Sequence, residues 1–228
     1  MTLPRILLTG FEPFGGDTVN PSWQVAQAWH GCSVDNAQVH AVQLPCVFGQ
    51  AVQALQIALQ RTRPQLVLAL GQAGGRCDFS IERVAINVDD ARIPDNAGAS
   101  PVDVPVVPGA PAAYFSTLPI KAMVAALRQA GLPASVSQTA GTFVCNHVFF
   151  GLMHALARSR RRGTAGPARG GFMHLPLLPA QAAGQAGQPS LTSVPSLPLA
   201  TLVDGVGLAL RTAWAVQHDL REAGGATH

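Results

Sequence analysis

Charged side chains are scarce in this chain of 228 residues, and glutamate and lysine are the rarest of them. Charged residues make up 12% of the sequence, with three glutamates and a single lysine beside fourteen arginines. About 25% is usual for soluble domains. A hydrophobic content of 48% excludes a disordered chain or a coiled coil. Such a weakly charged surface is suited to burial against another copy of the chain, so we predict a homo-oligomer, either a dimer or a tetramer.

Long apolar segments and broad basic faces are missing too. No apolar run reaches the roughly 18 residues needed to cross a bilayer. Pro4 and Arg5 interrupt the start of the chain before a signal-peptide core forms. These features predict a cytoplasmic protein without a membrane partner. The dense basic run at residues 158–162 is predicted to be a solvated helix end, because nucleic-acid sites add aromatic residues to a wide basic face.

Several common catalytic and cofactor motifs are also absent. The four cysteines form no Cys-x-x-Cys pair and no zinc-like group with histidines, so we predict unpaired thiols, a reducing compartment and no metal site. The glycine-rich turns at residues 10–16 and 71–75 lack the Walker and G-x-G-x-x-G spacings, which disfavours a nucleotide- or NAD-dependent enzyme and predicts no cofactor. Without a G-x-S-x-G or H-E-x-x-H motif, a common serine hydrolase and a zinc protease also lose support.

What the sequence does contain is an alternation of short apolar runs with longer stretches of helical period. This alternation predicts one α/β domain over residues 1–228, with a mostly parallel twisted sheet and helices on both faces. The predicted strands are residues 5–9, 38–44, 66–70, 81–88, 134–138 and 171–175, and the predicted helices are residues 22–29, 48–61, 120–130, 145–158 and 199–221. Two stretches rich in Pro, Gly and Ala, residues 91–113 and 179–198, are predicted to be irregular loops.

The segment around Cys145 is the most informative part of the sequence. A predicted strand is followed by residues 140–142, and a predicted helix begins near Cys145, so the thiol is placed at a helix N-terminus. Unpaired N–H groups and the helix dipole favour the thiolate there, and the same N–H groups suit an oxyanion. The competing interpretation is a small buried cysteine that merely packs at a helix start.

A thiolate nucleophile needs a histidine partner, and His174 is the best placed candidate. His147 and His154 follow Cys145 on the same predicted helix and point about 200° and 180° away from it. His174 instead ends a short predicted strand, at the sheet edge where ligand sites gather in open α/β folds. A hydrogen-bonded structural histidine is the alternative. The other histidines are predicted to be surface residues: His30, His40, His218 and His228.

Glu82 is distinctive among the three glutamates. In its predicted strand it shares a face with Val84 and Ile86, and a carboxylate on an apolar face requires a partner. The partner is either an arginine, Arg83 or Arg76, or an imidazole that the carboxylate orients by accepting its N–H.

Five sequence blocks resemble the pyroglutamyl peptidase I family of cysteine peptidases. The blocks are GFEPFGG at residues 10–16, GQAGGR at 71–76, IERVAINVDDARIPDNAG at 81–98, AGTFVCN at 140–146 and GFMHLP at 171–176, and they come in the family's order. The resemblance implies a catalytic triad of Glu82, Cys145 and His174. These are the three residues on which the chemical argument from the sequence converges.

The resemblance also implies the reaction and its pocket. The reaction is removal of an N-terminal pyroglutamyl residue from a peptide through a thioester, without metal or cofactor. The residues implied to surround the lactam ring are Phe11, Phe14, Gln72, Phe143 and Val144, with Arg92 as electrostatic support close to the nucleophile. The alternative function is an inactive protein that uses the same pocket to bind pyroglutamyl or cyclic amide ligands.

Overall fold

A computed structural model of the chain describes residues 3–161, 168–185 and 195–225. Its strands are β1 (Arg5–Phe11), β2 (Ser33–Val34), β3 (Ala37–Leu44), β4 (Leu66–Gln72), β5 (Phe79–Glu82), β6 (Val84–Ile86), β7 (Ala113–Phe115), β8 (Ala134–Ser137) and β9 (Arg169–Leu175). Its helices are α1 (Pro21–Ala28), α2 (Gln50–Thr62), α3 (Ile120–Gln129), α4 (Val144–Arg161), α5 (Pro179–Gln185) and α6 (Leu199–Ala215).

The central sheet has seven strands in the order β2-β3-β1-β4-β9-β5-β8. Strands β3, β1, β4 and β9 are parallel neighbours, which confirms the predicted α/β fold with a mostly parallel sheet. Strand β5 pairs antiparallel with β9 and parallel with β8, so these two strands run opposite to the four parallel ones, as does the short β2. Strand β9 therefore lies between a parallel and an antiparallel neighbour, and both contribute to the site described below.

Helices cover both faces of the sheet, and β4 shows why. Its side chains alternate between two apolar clusters: Leu66, Leu68 and Leu70 join the cluster formed with α1, α3 and α6. Val67 and Ala69 join the cluster formed with α2 and α4. A strand buried on both faces has no polar side, which is why its sequence is continuously apolar. No helix in the described part of the chain is both long and apolar enough to cross a membrane.

The strand predicted over residues 81–88 is wrong, because the chain leaves the central sheet at Arg83. Strand β5 ends at Glu82, and β6 pairs with β7 in a separate two-stranded sheet. Backbone bonds on both sides of Arg83 fix this departure: its N–H donates to Ser137 and its carbonyl accepts from Ser116. Glu82 therefore does not share a strand face with Val84.

The two predicted loops have different outcomes. Residues 91–112 are irregular, as predicted, apart from an isolated bridge that joins Asp89 to Val104. Within residues 179–198, however, α5 forms a helix, because Pro179 suits a first helical position and the alanines that follow favour helix. Residues 186–194 of that stretch lie outside the described residues, as do Arg162 of the basic run and His228.

The last helix is shorter than predicted and ends at Ala215 instead of residue 221. Val216 is extended, and Arg169 at the start of β9 donates to the carbonyls of Ala213 and Val216. A guanidinium at a helix C-terminus satisfies carbonyls that have no further helical partner. The short strands β2 and β7 were not predicted, and the other helix and strand boundaries agree with the predictions to within a few residues.

Candidate active site

Gly71, near the end of β4, is the point where the candidate residues meet. It lies opposite His174 in the parallel pairing of β4 with β9. A Cβ atom built on Gly71 would lie 2.9 Å from Cys145 Sγ and 2.8 Å from the ring of Phe172. Real Cβ atoms do not approach other atoms that closely, so only glycine lets the thiol rest against the strand. Cys145 and His174 are thus neighbours of the same backbone position.

Cys145 is the second residue of α4, which confirms its predicted place at a helix N-terminus. The amide N–H groups of Val144, Cys145 and Asn146 have no hydrogen-bond acceptor among the residues described. The first bonded N–H of this turn is that of His147, which donates to Phe143. Free donors beside a thiol are the arrangement that stabilises an oxyanion after attack on a carbonyl.

His174 is held by Glu82. The His174 Nδ1 atom lies 2.7 Å from Glu82 Oε1, and the two side chains are 4% and 0% exposed. Because β5 runs antiparallel to β9 with Ser80 opposite His174, Glu82 lies diagonally across from the imidazole. A carboxylate that accepts the Nδ1 proton leaves Nε2 as the basic nitrogen, and Nε2 has no hydrogen-bond partner in the described ranges.

Glu82 also pairs with Arg76, whose Nη1 lies 2.7 Å from the same Oε1 atom. The two alternatives drawn from the sequence, an arginine partner and an oriented imidazole, are therefore both present at once. Arg83 is not that partner, because its guanidinium donates to the carbonyl of Gly224. The second oxygen of Glu82, Oε2, is buried and has no partner among the described residues.

The electrostatics of the site differ from the expectation of a permanent thiolate. Burial raises the pKa of the Cys145 thiol well above its ordinary value, and the charges of Cys46 and Glu82 act in the same direction, while Arg76 opposes them. Burial also lowers the pKa of His174, against the opposing hydrogen bond and charge of Glu82. Both directions favour a neutral thiol beside a neutral imidazole in the resting pair at neutral pH. No hydrogen bond joins them in the described structure, and such contacts often tighten only when substrate binds.

The apolar residues predicted to surround the lactam ring differ in how deeply they are buried. The rings of Phe14 and Phe143 lie 6.1 Å apart, and both side chains are half-buried. Phe48, which the sequence analysis did not identify, packs edge-on against Phe143 at 5.4 Å. Phe11 and Val144 are buried in the apolar cluster formed with α2 and α4, and their contact with the lactam ring stays a prediction.

Gln72 and Arg92 are close to the site in the chain, and their predicted roles stay predictions. The Gln72 amide donates to Asp17 and accepts from Gln181 of α5, so both its side-chain atoms are already bonded. Arg92 is exposed and forms no side-chain hydrogen bond within the described residues. It follows Asp90, whose backbone exchanges two hydrogen bonds with Thr142 just before α4.

The contacts of two further polar side chains beside Cys145 were not predicted from the sequence. Asn146 is fully buried and bonds the backbone of Ile86 and Val88, which fixes β6 to the start of α4. His147 pairs through Nδ1 with Asp89 at 2.8 Å. The expectation that His147 does not serve the thiol agrees with this contact, but nothing local in the sequence indicates its partner, 58 residues away.

The other histidines are only partly as predicted. His30 and His218 are exposed, in agreement with the prediction. His40 is not, because it is half-buried and its Nε2 is buried without a partner in the part of the chain described. His154 bonds the hydroxyl of Tyr114 at 3.0 Å, away from the thiol.

An α/β sheet whose edge brings a helix-start thiol, a buried imidazole and a carboxylate to one point defines the class of α/β cysteine hydrolases. A sequence profile described as pyroglutamyl peptidase matches residues 4–216 of the chain. The chain belongs to the pyroglutamyl peptidase family.

Relatives and solved structures agree with this assignment. The pyrrolidone-carboxylate peptidase of Cupriavidus taiwanensis is 58% identical over 99% of this chain and 100% of its own length. That of Erwinia tasmaniensis is 54% identical over the same shares. The crystal structure of pyroglutamyl peptidase I from Bacillus amyloliquefaciens superposes with a TM-score of 0.87 at 42% identity, covering 95% of this chain and 100% of that one.

Proposed function

We propose that the protein is a cysteine exopeptidase that removes an N-terminal pyroglutamyl residue from peptides. The observation that carries this proposal is the convergence of Cys145, His174 and Glu82 around Gly71, in a chain of the pyroglutamyl peptidase family. The three residues act as nucleophile, base and orienting acid, respectively.

In the first step the Cys145 proton moves to His174 as the sulfur attacks the pyroglutamyl carbonyl. A neutral thiol and a neutral imidazole are suited to this transfer, because Nε2 of the neutral ring carries no proton and can accept that of the thiol. The free N–H groups at the start of α4 then bind the oxyanion of the tetrahedral intermediate. Glu82 stabilises the imidazolium through Nδ1.

In the second step the imidazolium of His174 protonates the departing amine, and the peptide leaves with a free N-terminus. The pyroglutamyl group stays on Cys145 as a thioester. Water, losing its proton to His174, attacks the thioester and releases pyroglutamate, which restores the thiol.

The preference of the enzyme for a pyroglutamyl group has a physical basis, because this group has no charged amine. Its lactam nitrogen carries no charge, so the pocket needs an apolar wall and hydrogen bonds rather than an acidic residue for an amine. Phe14 and Phe143 supply half-buried aromatic faces next to the helix that carries the thiol. A prolyl ring, without the lactam oxygen, leaves a buried donor unpaired at a cost of about 1–3 kcal/mol.

Release of a fluorescent amine from pyroglutamyl-aminomethylcoumarin, compared with prolyl and glutamyl analogues, tests this function. We expect turnover of the pyroglutamyl compound and at least about tenfold lower kcat/KM for the others. Tight binding of pyroglutamyl ligands without turnover would instead favour the inactive binding protein, for which none of the comparisons gives support.

We further propose that the protein acts in the cytoplasm as a homo-oligomer, a dimer or a tetramer. The low charge of the sequence and several exposed apolar side chains support an interface between copies. These side chains are Ile93, Val102, Val104 and Phe115. Light scattering on the eluting protein tests this, and a monomer at micromolar concentration would contradict it.

A further inference from the structure

Arg76 contacts the acid of the proposed triad but takes no part in the chemistry described so far. It lies in the turn between β4 and β5, and its side chain is 28% exposed, whereas Glu82 is fully buried. Its Nη1 lies 2.7 Å from Glu82 Oε1. Its Nη2 donates at 2.9 Å to the carbonyl of Thr139, in the loop that leads into α4.

The two donors to Glu82 use the same oxygen atom. His174 Nδ1 and Arg76 Nη1 each lie 2.7 Å from Oε1, while Oε2 has no partner among the described residues. A carboxylate oxygen has two lone-pair sites, so these two donors fill both of them. Arg76 and His174 therefore draw on the same electron density, and a permanent positive charge already compensates the carboxylate before the imidazole gains its proton.

We propose that Arg76 is a positioning residue that shares Glu82 Oε1 with His174 and thereby limits how firmly Glu82 holds a second proton on the imidazole. This inference rests on the proposed function, in which His174 must begin each cycle neutral and return to that state. An unshared buried carboxylate favours the imidazolium, which cannot accept the thiol proton. Arg76 keeps the imidazole neutral and able to accept the thiol proton. Its bond to the Thr139 carbonyl links Arg76 to the loop before Cys145.

Among the described residues, Arg76 is the one positively charged group that acts on the pKa of His174. Strand β5 contributes Glu82, and Asp78, just before this strand, accepts a hydrogen bond from Ser80, which lies opposite His174. Helix α4 presents Cys145, and β4 contains no titratable side chain. In agreement with the geometry, the charge of Arg76 lowers the pKa of His174, in opposition to Glu82.

Arg83 provides a matched control because it is adjacent to Glu82 in the chain and carries the same charge. Its guanidinium donates to the carbonyl of Gly224 instead of to the carboxylate. Substituting either arginine by glutamine removes one positive charge, from the partner of Glu82 in Arg76→Gln and from its neighbour in the chain in Arg83→Gln. Only the first substitution removes the hydrogen bond to Oε1.

The experiment compares kcat/KM across pH for Arg76→Gln, Arg76→Lys and Arg83→Gln on the fluorogenic pyroglutamyl substrate. Loss of the Arg76 charge raises the pKa of His174, so a larger fraction of the imidazole is protonated in acid. We expect the ratio of kcat/KM at about pH 6 to that at about pH 8 to fall roughly 2- to 5-fold in Arg76→Gln. Arg76→Lys keeps a charge beside Oε1, and Arg83→Gln keeps the bond, so both should retain the wild-type ratio.

Titration of His174 by NMR, in protein with 13C-labelled histidine and assigned with His174→Asn, gives a second measurement that needs no turnover. An upward displacement of the His174 titration in Arg76→Gln supports the proposal. An unmoved titration, an equal displacement in Arg83→Gln, or an equal loss of kcat/KM at every pH overturns it. If Arg76→Gln fails to fold, Arg76→Met takes its place: a displaced acid limb supports the proposal and an unmoved one refutes it. Absence of activity in the wild type would overturn the proposed function while leaving this titration informative.

Discussion

The described residues include two buried carboxylate–imidazole pairs of nearly the same geometry, and we assign chemistry to one of them. Glu82 and His174 meet at 2.7 Å, and Asp89 and His147 meet at 2.8 Å, each through Nδ1. Both imidazoles are at most 7% exposed. The distance and the burial of a pair therefore do not distinguish a base from a structural histidine.

The difference lies at the other ring nitrogen. The Nε2 atom of His147 accepts the N–H of Gly49 at 2.9 Å, so its lone pair is already used. Nε2 of His174 has no partner within the described residues. The residue itself lies opposite Gly71, the position against which the thiol rests. His147 ties α4 to the start of α2 and to the irregular segment that contains Asp89. His174 has the free lone pair that a general base requires.

The largest effect should come from removing the sulfur of Cys145, the proposed nucleophile. We expect Cys145→Ala to lower kcat/KM for the pyroglutamyl substrate by about 10⁴-fold or more, because the variant has no thiol to attack the carbonyl. The exposed thiol of Cys77 supplies the control, and Cys77→Ala should retain full activity. Thermal unfolding should show both variants folded. Substantial activity in folded Cys145→Ala would end the thiol mechanism.

Neutralising the acid of each pair in turn tests the comparison directly. Glu82→Gln should lower kcat by about 10²- to 10³-fold, less than the loss in Cys145→Ala, because the base remains but its orientation and charge support are weakened. Asp89→Asn should change kcat by no more than about threefold and instead lower the free energy of unfolding by about 1–3 kcal/mol. Steady-state kinetics and urea unfolding measure the two effects, and a comparable loss of kcat in Asp89→Asn would show that both pairs serve catalysis.

The position where thiol and imidazole meet should tolerate no added side chain. In Gly71→Ala the new methyl group would lie 2.9 Å from Cys145 Sγ, which must move. A displacement of about 1 Å at a reacting atom costs about 100-fold in rate, and we expect a loss of that order. Gly74→Ala is the matched variant, because its Cβ would meet nothing closer than 3.9 Å. Equal kinetics for the two alanine variants would mean that the thiol is not confined by β4.

The pH dependence of the wild type provides the smallest and most specific effect. Burial lowers the pKa of His174 from its ordinary value of 6.5, and a lowered pKa extends the neutral, proton-accepting form to more acidic solution. The acid limb of kcat/KM should therefore lie below pH 6.5. A profile of kcat/KM from about pH 5 to about pH 9 measures this limb. A limb above 6.5 would indicate that Glu82 outweighs burial in determining the charge of the imidazole.

The sequence predicted the fold well because most of its elements are decided locally. The continuous apolar run of β4 and the periodicity of the helices indicate a sheet covered on both faces, and the structure confirms it. The error at residues 81–88 has a non-local cause, since β5 and β6 separate where distant backbone groups bind Arg83. A local run of apolar residues does not show that β5 pairs with β8 and β9 whereas β6 pairs with β7.

For the site, the sequence identified side chains whose chemistry is rare in this chain and missed those whose role depends on a distant contact. Cys145 at a helix start and a lone buried glutamate are visible in a single stretch of residues. A single stretch does not show contacts between distant residues. These contacts are the oxygen shared by Arg76 and His174, the pairing of His147 with Asp89, and the packing of Phe48 on Phe143. The electrostatics also depend on the complete environment, because burial, which a sequence window does not report, opposes the helix N-terminus at Cys145.

Strand β9 is a late part of the chain, yet it is inserted between β4 and β5, which precede it by many residues. A polypeptide still emerging from the ribosome therefore carries the thiol of Cys145 and the carboxylate of Glu82 before it has synthesised the histidine that joins them. The proposed triad is therefore complete only after β9 has been synthesised and has paired with both β4 and β5.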